Sequence, residues 1–236
     1  MQELFQIFLD NLSFVLTVLG IIVALALLAK LAEKTLCRDA QFPKGARRIA
    51  VCAVCIAISG LLMLLEIPVF FAPGFYKVDL SELPVLFCAF SLGPVAGVVC
   101  EALKVAVKLL LKGTTSAFVG DFANFAVGCT LVLPAAIVYL RHKTRKGAVA
   151  ALVVGTLCMT AFGSVFNAFY LLPKFSQLFG LPLDTIVEMG NAVNPAIHSI
   201  QTLVLFAVVP MNLLKGAVVS CLTFALYKRV KRVLLP

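Results

Sequence analysis

VVPMNLLKGAVVS, residues 208–220, places a proline, an asparagine and a lysine inside an apolar run near the end of the chain. Asn212 and Lys215 are three residues apart, so on a helix they share one face. An ionisable group in a membrane-spanning helix costs about 2.5–3.5 kcal/mol on insertion scales. The stretch therefore predicts an apolar helix with one polar face, and that face needs a partner or a ligand.

The composition indicates an integral membrane protein. Of 236 residues, 62% are hydrophobic and 13% are charged, and the mean hydropathy is +1.07. A soluble domain carries about 25% charged and about 45–50% apolar residues. At about 20 residues for each membrane-spanning helix, the chain has room for six or seven spans in one bundle.

Hydropathy divides the chain into seven apolar segments. They lie at about 12–36, 46–66, 84–92, 94–112, 117–140, 147–172 and 200–228. The third is too short to cross a bilayer and ends at Gly93-Pro94, so we expect a tilted or half-buried element in contact with protein. We expect the sixth helix to stop at Pro173, followed by a mixed polar loop over residues 173–199 that has room for a short helix.

The basic residues predict the orientation. The net charge is +9, and most lysines and arginines fall in short clusters after segments one, five and seven. Such clusters remain on the cytoplasmic side, which puts the N-terminus and the loops 66–84, 112–117 and 173–199 outside. Nucleic-acid binding is excluded because no basic face with aromatic platforms accompanies the charge.

One apolar segment carries a stripe of charges. Glu101, Lys104 and Lys108 are spaced i, i+3 and i+7 along one helix face. An internal Glu101–Lys104 ion pair is favoured over a ligand site. For this segment, the pattern alone leaves both interpretations open.

Further polar residues lie towards the outer ends of three other segments. They are Asp121, Asn124, Asn167, Asn212 and Lys215. Singly, each asparagine is consistent with an interhelical hydrogen bond worth about 0.6–2 kcal/mol. Together they indicate an outward-facing cavity for a neutral, hydrogen-bond-rich, partly aromatic ligand. Phe122, Phe125, Phe166 and Phe169 are available as walls, although core packing is the favoured role for any one of them. Lys215 reaches such a cavity if Pro210 breaks the last helix near its outer end, and otherwise lies near mid-membrane.

The sequence gives no support for an enzyme or a metal site. HExxH, GxSxG and Walker A motifs are absent. The eight cysteines lie in apolar segments, and the CxxC spacing of Cys52 and Cys55 has no second pair or nearby histidines. We interpret them as small buried hydrophobes rather than ligands or redox centres.

Small residues recur on one face of the second segment. Ala46, Ala50, Ala53 and Ala57 are spaced four or three residues apart. Small-xxx-small faces allow helices to approach closely. Internal packing and a docking surface for another membrane protein are equally compatible with this face.

Four blocks of the sequence together resemble a known family. They are GFYKVDLSELPVLFCAFSLGPVAGVVCEALK (74–104), KGTTSAFVGDFANFAVG (112–128), NAFYLLP (167–173) and VVPMNLLKG (208–216). In content and order they resemble the riboflavin-specific substrate-binding subunits, or S components, of energy-coupling factor (ECF) vitamin transporters. The resemblance covers residues of roughly 46–230.

The resemblance implies an all-α polytopic membrane bundle, the six-helix S-component fold, in a prokaryotic plasma membrane. Such a subunit captures riboflavin from outside, and a membrane-embedded T component and two cytoplasmic ATPases supply the energy for import. Riboflavin would be the transported ligand, with no cofactor and no catalysis. The family's S component is thought to topple in the membrane to release the vitamin.

The resemblance also implies roles for particular residues. Ala53 and Ala57, with Ala50, would contact the T component. Asn167, Asn212 and Lys215 would contact the ligand. The loop before the short helix would close over it, which makes Phe75, Tyr76, Lys77 and Asp79 cap candidates. The GDFANF block would place Gly120, Asp121 and Asn124 along the pocket.

Two features depart from the family pattern. The first span is additional to the six helices, so we expect residues 1–45 to form an extra transmembrane helix with a basic linker and residues 46–236 the substrate-binding domain. The outer loop around residues 180–199 is long. An S component for another vitamin or flavin, and a self-sufficient secondary transporter, remain the alternatives.

Overall fold

A computed structural model describes residues 2–38, 40–114, 116 and 118–234. Within these ranges the regular secondary structure is helical except for one short β-hairpin, which confirms the all-α bundle. The helices are α1 Gln2–Thr35, α2 Ala46–Leu64, α3 Glu82–Leu92, α4 Pro94–Lys112, α5 Val119–Arg141, α6 Arg145–Phe166, α7 Leu172–Phe179, α8 Leu183–Asn191, α9 Ile200–Leu203 and α10 Val209–Leu234. The strands β1 Ile67–Pro68 and β2 Lys77–Val78 pair antiparallel.

Among the residues that the structure describes, five helical stretches are long and apolar enough to cross a membrane. They are Phe14–Thr35, Ala46–Leu64, Val119–Arg141, Arg145–Phe179 and Ile200–Val230. The helix α4 is 19 residues long but carries four charged residues, and α3 has 11 residues. Nearly all of α3 is buried between α2, α4, α5 and α10. The expected contact with protein is confirmed, but the helix is more deeply buried than the half-buried element that was predicted.

Two π-helical turns correct the predicted helix ends. Asn167–Leu171 joins α6 to α7, and Val204–Val208 joins α9 to α10. The prediction that the sixth helix stops at Pro173 is wrong, because the helix continues to Phe179. Pro210 likewise does not break the last helix. Each proline lies two residues after a π turn. The extra residue in that turn makes space for the proline ring and accommodates the loss of the backbone hydrogen bond that proline cannot donate.

The helix α1 packs on α4 and α5 through a narrow stripe, and few residues of its stretch Phe14–Thr35 are buried. At its C-terminal end, Glu33 Oε2 accepts a hydrogen bond from the Val95 N–H at 3.2 Å. Arg48 lies 3.8 Å from Glu33 and donates to the Leu92 carbonyl at 3.2 Å. Gly93 at this junction has φ +101°, and a Cβ there would lie 2.8 Å from the Glu33 carboxylate. Glu33 therefore ties α1 to the α3–α4 turn.

Candidate functional site

A cavity of about 490 Å³ opens at the end of the bundle opposite the basic clusters. Its walls come from the ends of α2, α4 and α6, the starts of α3, α5 and α10, the β-hairpin loop and α7. The volume lies within the range of about 300–1,000 Å³ typical of small-molecule sites. All nine residues expected to contact ligand line it: Tyr76, Lys77, Asp79, Gly120, Asp121, Asn124, Asn167, Asn212 and Lys215.

An aromatic group covers one side of the cavity. Tyr76 in the hairpin loop is buried, and its hydroxyl donates to Asn167 Oδ1 at 2.7 Å. The Phe75 ring stacks on Phe175 of α7, with centroids 5.4 Å apart. Burial raises the pKa of Tyr76, although the hydrogen bond to Asn167 opposes the rise. The Tyr76 hydroxyl therefore stays protonated and holds the loop against the first π turn.

The four phenylalanines suggested as cavity walls do not form them. None belongs to the cavity lining. Phe122 and Phe125 are buried in a core cluster with Phe14 of α1, and the Phe169 ring is 81% exposed. On α5, helix periodicity directs the Phe122 and Phe125 rings away from the polar face that carries Asp121 and Asn124. Besides the aromatic group of Phe75, Tyr76 and Phe175, the apolar lining of the cavity consists of aliphatic and thioether side chains, among them Met63, Val127, Met159, Leu171, Leu172, Val208 and Met211.

Lys215 is held by carboxylates that come from the hairpin loop and α3. Its Nζ lies 2.8 Å from Glu82 Oε1 and 3.2 Å from Asp79 Oδ2. Lys215 therefore lines the cavity although Pro210 does not break the last helix, and its ammonium is paired inside the protein. Burial of Asp79 would raise its pKa, but Lys215 and Lys104 and the hydrogen bonds from Ser81 lower it below the usual range.

The ion pairing continues from Glu82 into the core. Lys104 Nζ lies 3.0 Å from Glu82 Oε1 and 2.8 Å from Glu101 Oε2, and it donates to Ser81 Oγ at 2.8 Å. The predicted Glu101–Lys104 pair is thus present. Glu82 connects Lys104 with Lys215, and the charged stripe of Glu101, Lys104 and Lys108 did not predict this connection. Three carboxylates and two ammonium groups form this buried network: Asp79, Glu82, Glu101, Lys104 and Lys215.

Lys108, the third member of the charged stripe, pairs separately. Its Nζ lies 2.6 Å from Asp121 Oδ1, and the Thr114 hydroxyl donates to Asp121 Oδ2 at 2.7 Å. Both oxygens of Asp121 are therefore occupied within the protein. Asp121 fixes the cavity wall between α4 and α5.

Two asparagines offer unused hydrogen-bonding capacity. Asn124 Nδ2 donates to Asp79 Oδ2 at 3.0 Å, while its Oδ1 is buried with no partner among the described residues. The Asn212 amide makes no hydrogen bond within the same part of the chain, although only 5% of the residue is exposed. It lies against Gly163, where a Cβ would be 2.9 Å from Asn212 Nδ2. Both amides line the cavity, so a ligand can satisfy them.

A second charged group lies at the cavity mouth. Glu66, just after α2, accepts hydrogen bonds on Oε2 from Lys77 at 3.2 Å and from Lys112 at 3.1 Å. Burial would raise the pKa of Glu66, but the two lysines lower it. Glu66 was not predicted as a site residue, because its only signal in the sequence is its position at the end of an apolar segment.

The alanine face of α2 lies away from the cavity. Ala50, Ala53 and Ala57 are exposed, whereas Ser59 and Gly60 are buried against the bundle. The exposed side chains Val54 and Ile58 extend the same apolar surface.

The two cysteines of the CxxC spacing, Cys52 and Cys55, are free thiols within the bundle. Cys55 is buried, and Cys52 Sγ lies 3.9 Å from Cys88 Sγ of α3. Over the described ranges, no group of three or more His, Cys, Asp or Glu residues has an arrangement suited to a metal ion.

A cavity with paired charges and open amides, set in a bundle of membrane-crossing helices, defines a multi-pass membrane protein that binds a small molecule. The family model for the substrate-specific component of ECF transporters matches residues 47–227. The chain belongs to this family, a transport component of the bacterial plasma membrane rather than an enzyme.

Individual relatives agree with the family. The chain is 28% identical to riboflavin transporter RibU of Staphylococcus aureus over 184 residues, which are 78% of this chain and 90% of that protein. It is 27% identical to riboflavin transporter FmnP of Bacillus subtilis over 186 residues, 78% of this chain and 92% of that protein. A solved structure of the S component of a bacterial ECF transporter matches with a TM-score of 0.62 and 28% identity, covering 80% of this chain and 98% of that one.

Proposed function

We propose that this chain is the riboflavin-binding S component of an ECF-type vitamin importer. The observation that carries the proposal is the unpartnered Asn124 Oδ1 atom together with the nearby buried Asn212 amide, in a 490 Å³ cavity whose charged groups are paired with one another. The names of the relatives support riboflavin as the ligand.

The chemistry of the cavity suits a flavin. The pyrimidine edge of the flavin ring presents an N–H between two carbonyl groups, and an asparagine offers both an acceptor and donors. Asn124 Oδ1 can accept from that N–H, and the Asn212 amide can donate to a carbonyl. Met159, Leu172 and Met211 supply apolar surface for the ring faces. A site built on such bonds rejects analogues that leave its buried amides unpaired.

The lysine and carboxylate groups around the cavity have a positioning role in this proposal. Lys215 and Asp79 are ion-paired, and Asp79 also holds the Asn124 side-chain nitrogen. That bond turns Asn124 Oδ1 towards the ligand. The network therefore orients the recognition groups before the ligand arrives, which lowers the ordering cost of binding.

We further propose that the exposed face of α2 containing Ala50, Ala53 and Ala57 docks on a membrane-embedded T component. Two cytoplasmic ATPases would then supply the energy for import. Small side chains permit close approach of a partner helix, and the face is free of contacts with the cavity. Residues 46–236 would form the substrate-binding domain, and residues 1–45 an additional helix with its basic linker.

Riboflavin titration of the purified protein tests the ligand assignment, because binding in a protein cavity quenches flavin fluorescence. We expect saturable quenching by the wild type and a binding constant weakened at least tenfold in Asn212→Ala. The control is Gln201→Ala, because Gln201 is exposed on α9, which continues into α10. This variant should bind riboflavin as the wild type does. A folded wild type that leaves flavin fluorescence unchanged would contradict the proposal and favour another vitamin.

The same preparation separates an S component from a secondary transporter. Reconstituted alone in vesicles, the chain should bind riboflavin without accumulating it. Accumulation by this chain alone that an ionophore abolishes would overturn the assignment to an ATP-driven importer.

A further inference from the structure

At the mouth of the cavity, two lysines donate hydrogen bonds to the same carboxylate oxygen. Lys77 and Lys112 both donate to Glu66 Oε2, at 3.2 and 3.1 Å. Their side chains are 37% and 40% exposed, whereas that of Glu66 is 18% exposed. Without Glu66, this pair of ammonium groups would be a site for an anion at the edge of solvent.

The interior of the cavity offers no comparable place for an anion. Lys215 is engaged by Asp79 and Glu82, and Lys108 is engaged by Asp121. Among the charged residues that line this inner part, three carboxylates face two ammonium groups. A phosphate placed there would have to break a buried ion pair, which is strongly unfavourable. A phosphorylated ligand therefore has to put its phosphate at the mouth.

The open amides of Asn124 and Asn212 set the direction of the ligand. Asn212 lies against Gly163 of α6 and is 5% exposed, and the Asn124 Oδ1 atom is buried, whereas the Glu66 side chain at the end of α2 is 18% exposed. A flavin whose ring edge meets these amides extends its ribityl chain towards the mouth. The terminal hydroxyl, where a phosphate ester would be attached, then approaches Glu66, Lys77 and Lys112.

We propose that Glu66 is a specificity-determining residue that favours the uncharged vitamin over its phosphate ester. It occupies both lysines at the mouth and places a negative charge where the phosphate would lie. The inference rests on the proposed function, since it concerns the ligand of the same cavity. The lowered pKa of Glu66 keeps this carboxylate ionised at neutral pH.

Substitution of Glu66 by glutamine tests the proposal. A phosphate ester carries about −1.5 to −2 charges at pH 7, and the mouth is partly open to solvent, so the interaction is moderate and screened by salt. In Glu66→Gln we expect the ratio of the riboflavin phosphate Kd to the riboflavin Kd to fall about tenfold at low ionic strength, equivalent to about 1.4 kcal/mol. The change should shrink at high salt.

A matched control removes the same charge elsewhere. Glu188 is exposed on α8 and lies outside the cavity lining. The variant Glu188→Gln should therefore leave the ratio of the two Kd values unchanged. A ratio that shifts equally in both variants would show a net-charge effect and overturn the role of Glu66.

Replacing the two lysines gives a test in the opposite direction. The double variant Lys77→Gln with Lys112→Gln retains Glu66 but leaves the Glu66 charge unpaired. Binding of riboflavin phosphate should therefore weaken relative to binding of riboflavin. If riboflavin binds all these variants and the ratio does not move in either direction, the inference fails while the proposed function stands. If folded wild type binds neither flavin, the proposed function itself fails.

Discussion

Replacing Lys104 by methionine tests how much of the stability of the bundle depends on its buried ion pairs. The Lys104 side chain is fully buried and holds Glu82, Glu101 and the Ser81 hydroxyl within 2.8–3.0 Å. Methionine keeps most of the volume but supplies no donor. Both carboxylates would then stay buried, Glu101 without any partner among the described residues.

The expected cost is large because charges are left unpaired. Removing one partner of a buried ion pair typically costs about 3–5 kcal/mol, and Lys104 serves two carboxylates. For chains of about 150–250 residues, each kcal/mol corresponds to about 2–4 °C in unfolding temperature. We therefore expect Lys104→Met to lower the apparent unfolding temperature by about 6–20 °C.

Circular dichroism at 222 nm in detergent is a suitable assay, since the chain is helical and contains no tryptophan. The matched variant Lys104→Met with Glu101→Gln removes one of the two stranded charges and should recover part of the loss. A single variant that unfolds within 2 °C of wild type, or a double variant no more stable than the single one, would refute this account of the network.

Three further changes test other parts of the structure. Asp79→Asn should lower the unfolding temperature most near neutral pH, and the difference from wild type should shrink below about pH 4. A carboxyl group whose pKa is lowered in the folded state stabilises that state above the unfolded pKa and loses this contribution on acidification. A difference that grows in acid would contradict this. Gly163→Ala should weaken riboflavin binding about tenfold in titrations, because its Cβ would displace the Asn212 amide; unchanged affinity would show that Asn212 is not a contact. Ala53→Leu with Ala57→Leu should reduce uptake into cells while titrations show normal riboflavin binding, and loss of binding would instead indicate internal packing.

The polar face of the last helix was predictable because helix periodicity is local. Asn212 and Lys215 are three residues apart, and three other segments placed polar residues near the same end of the bundle. These constraints were enough to collect them in one cavity. The partner of Lys215 was not predictable, because Glu82 belongs to an apolar 11-residue helix whose position depends on packing among four other helices.

The π turns escaped prediction for a different reason. A proline in a helical pattern normally signals a kink or an end, and hydropathy does not report an extra residue in one turn. Pro173 and Pro210 therefore suggested helix ends, whereas the structure continues both helices through them. The first π turn places Asn167 under Tyr76, and the second lies just before Asn212. Such turns occur frequently at functional sites.

Deleting residues 1–45 tests whether the first helix belongs to the binding domain. No described residue of α1 lines the cavity, but α1 covers Val98, Val105 and Phe122, and Glu33 caps the start of α4. We expect the shortened chain to bind riboflavin within threefold of wild type and to unfold at a lower temperature. Glu33→Gln in the full chain removes only the charged cap and should lower the unfolding temperature less, because packing of α1 on α4 and α5 remains. Loss of riboflavin binding in a shortened chain that is still helical and monodisperse would place α1 within the binding domain and overturn the division at residue 45.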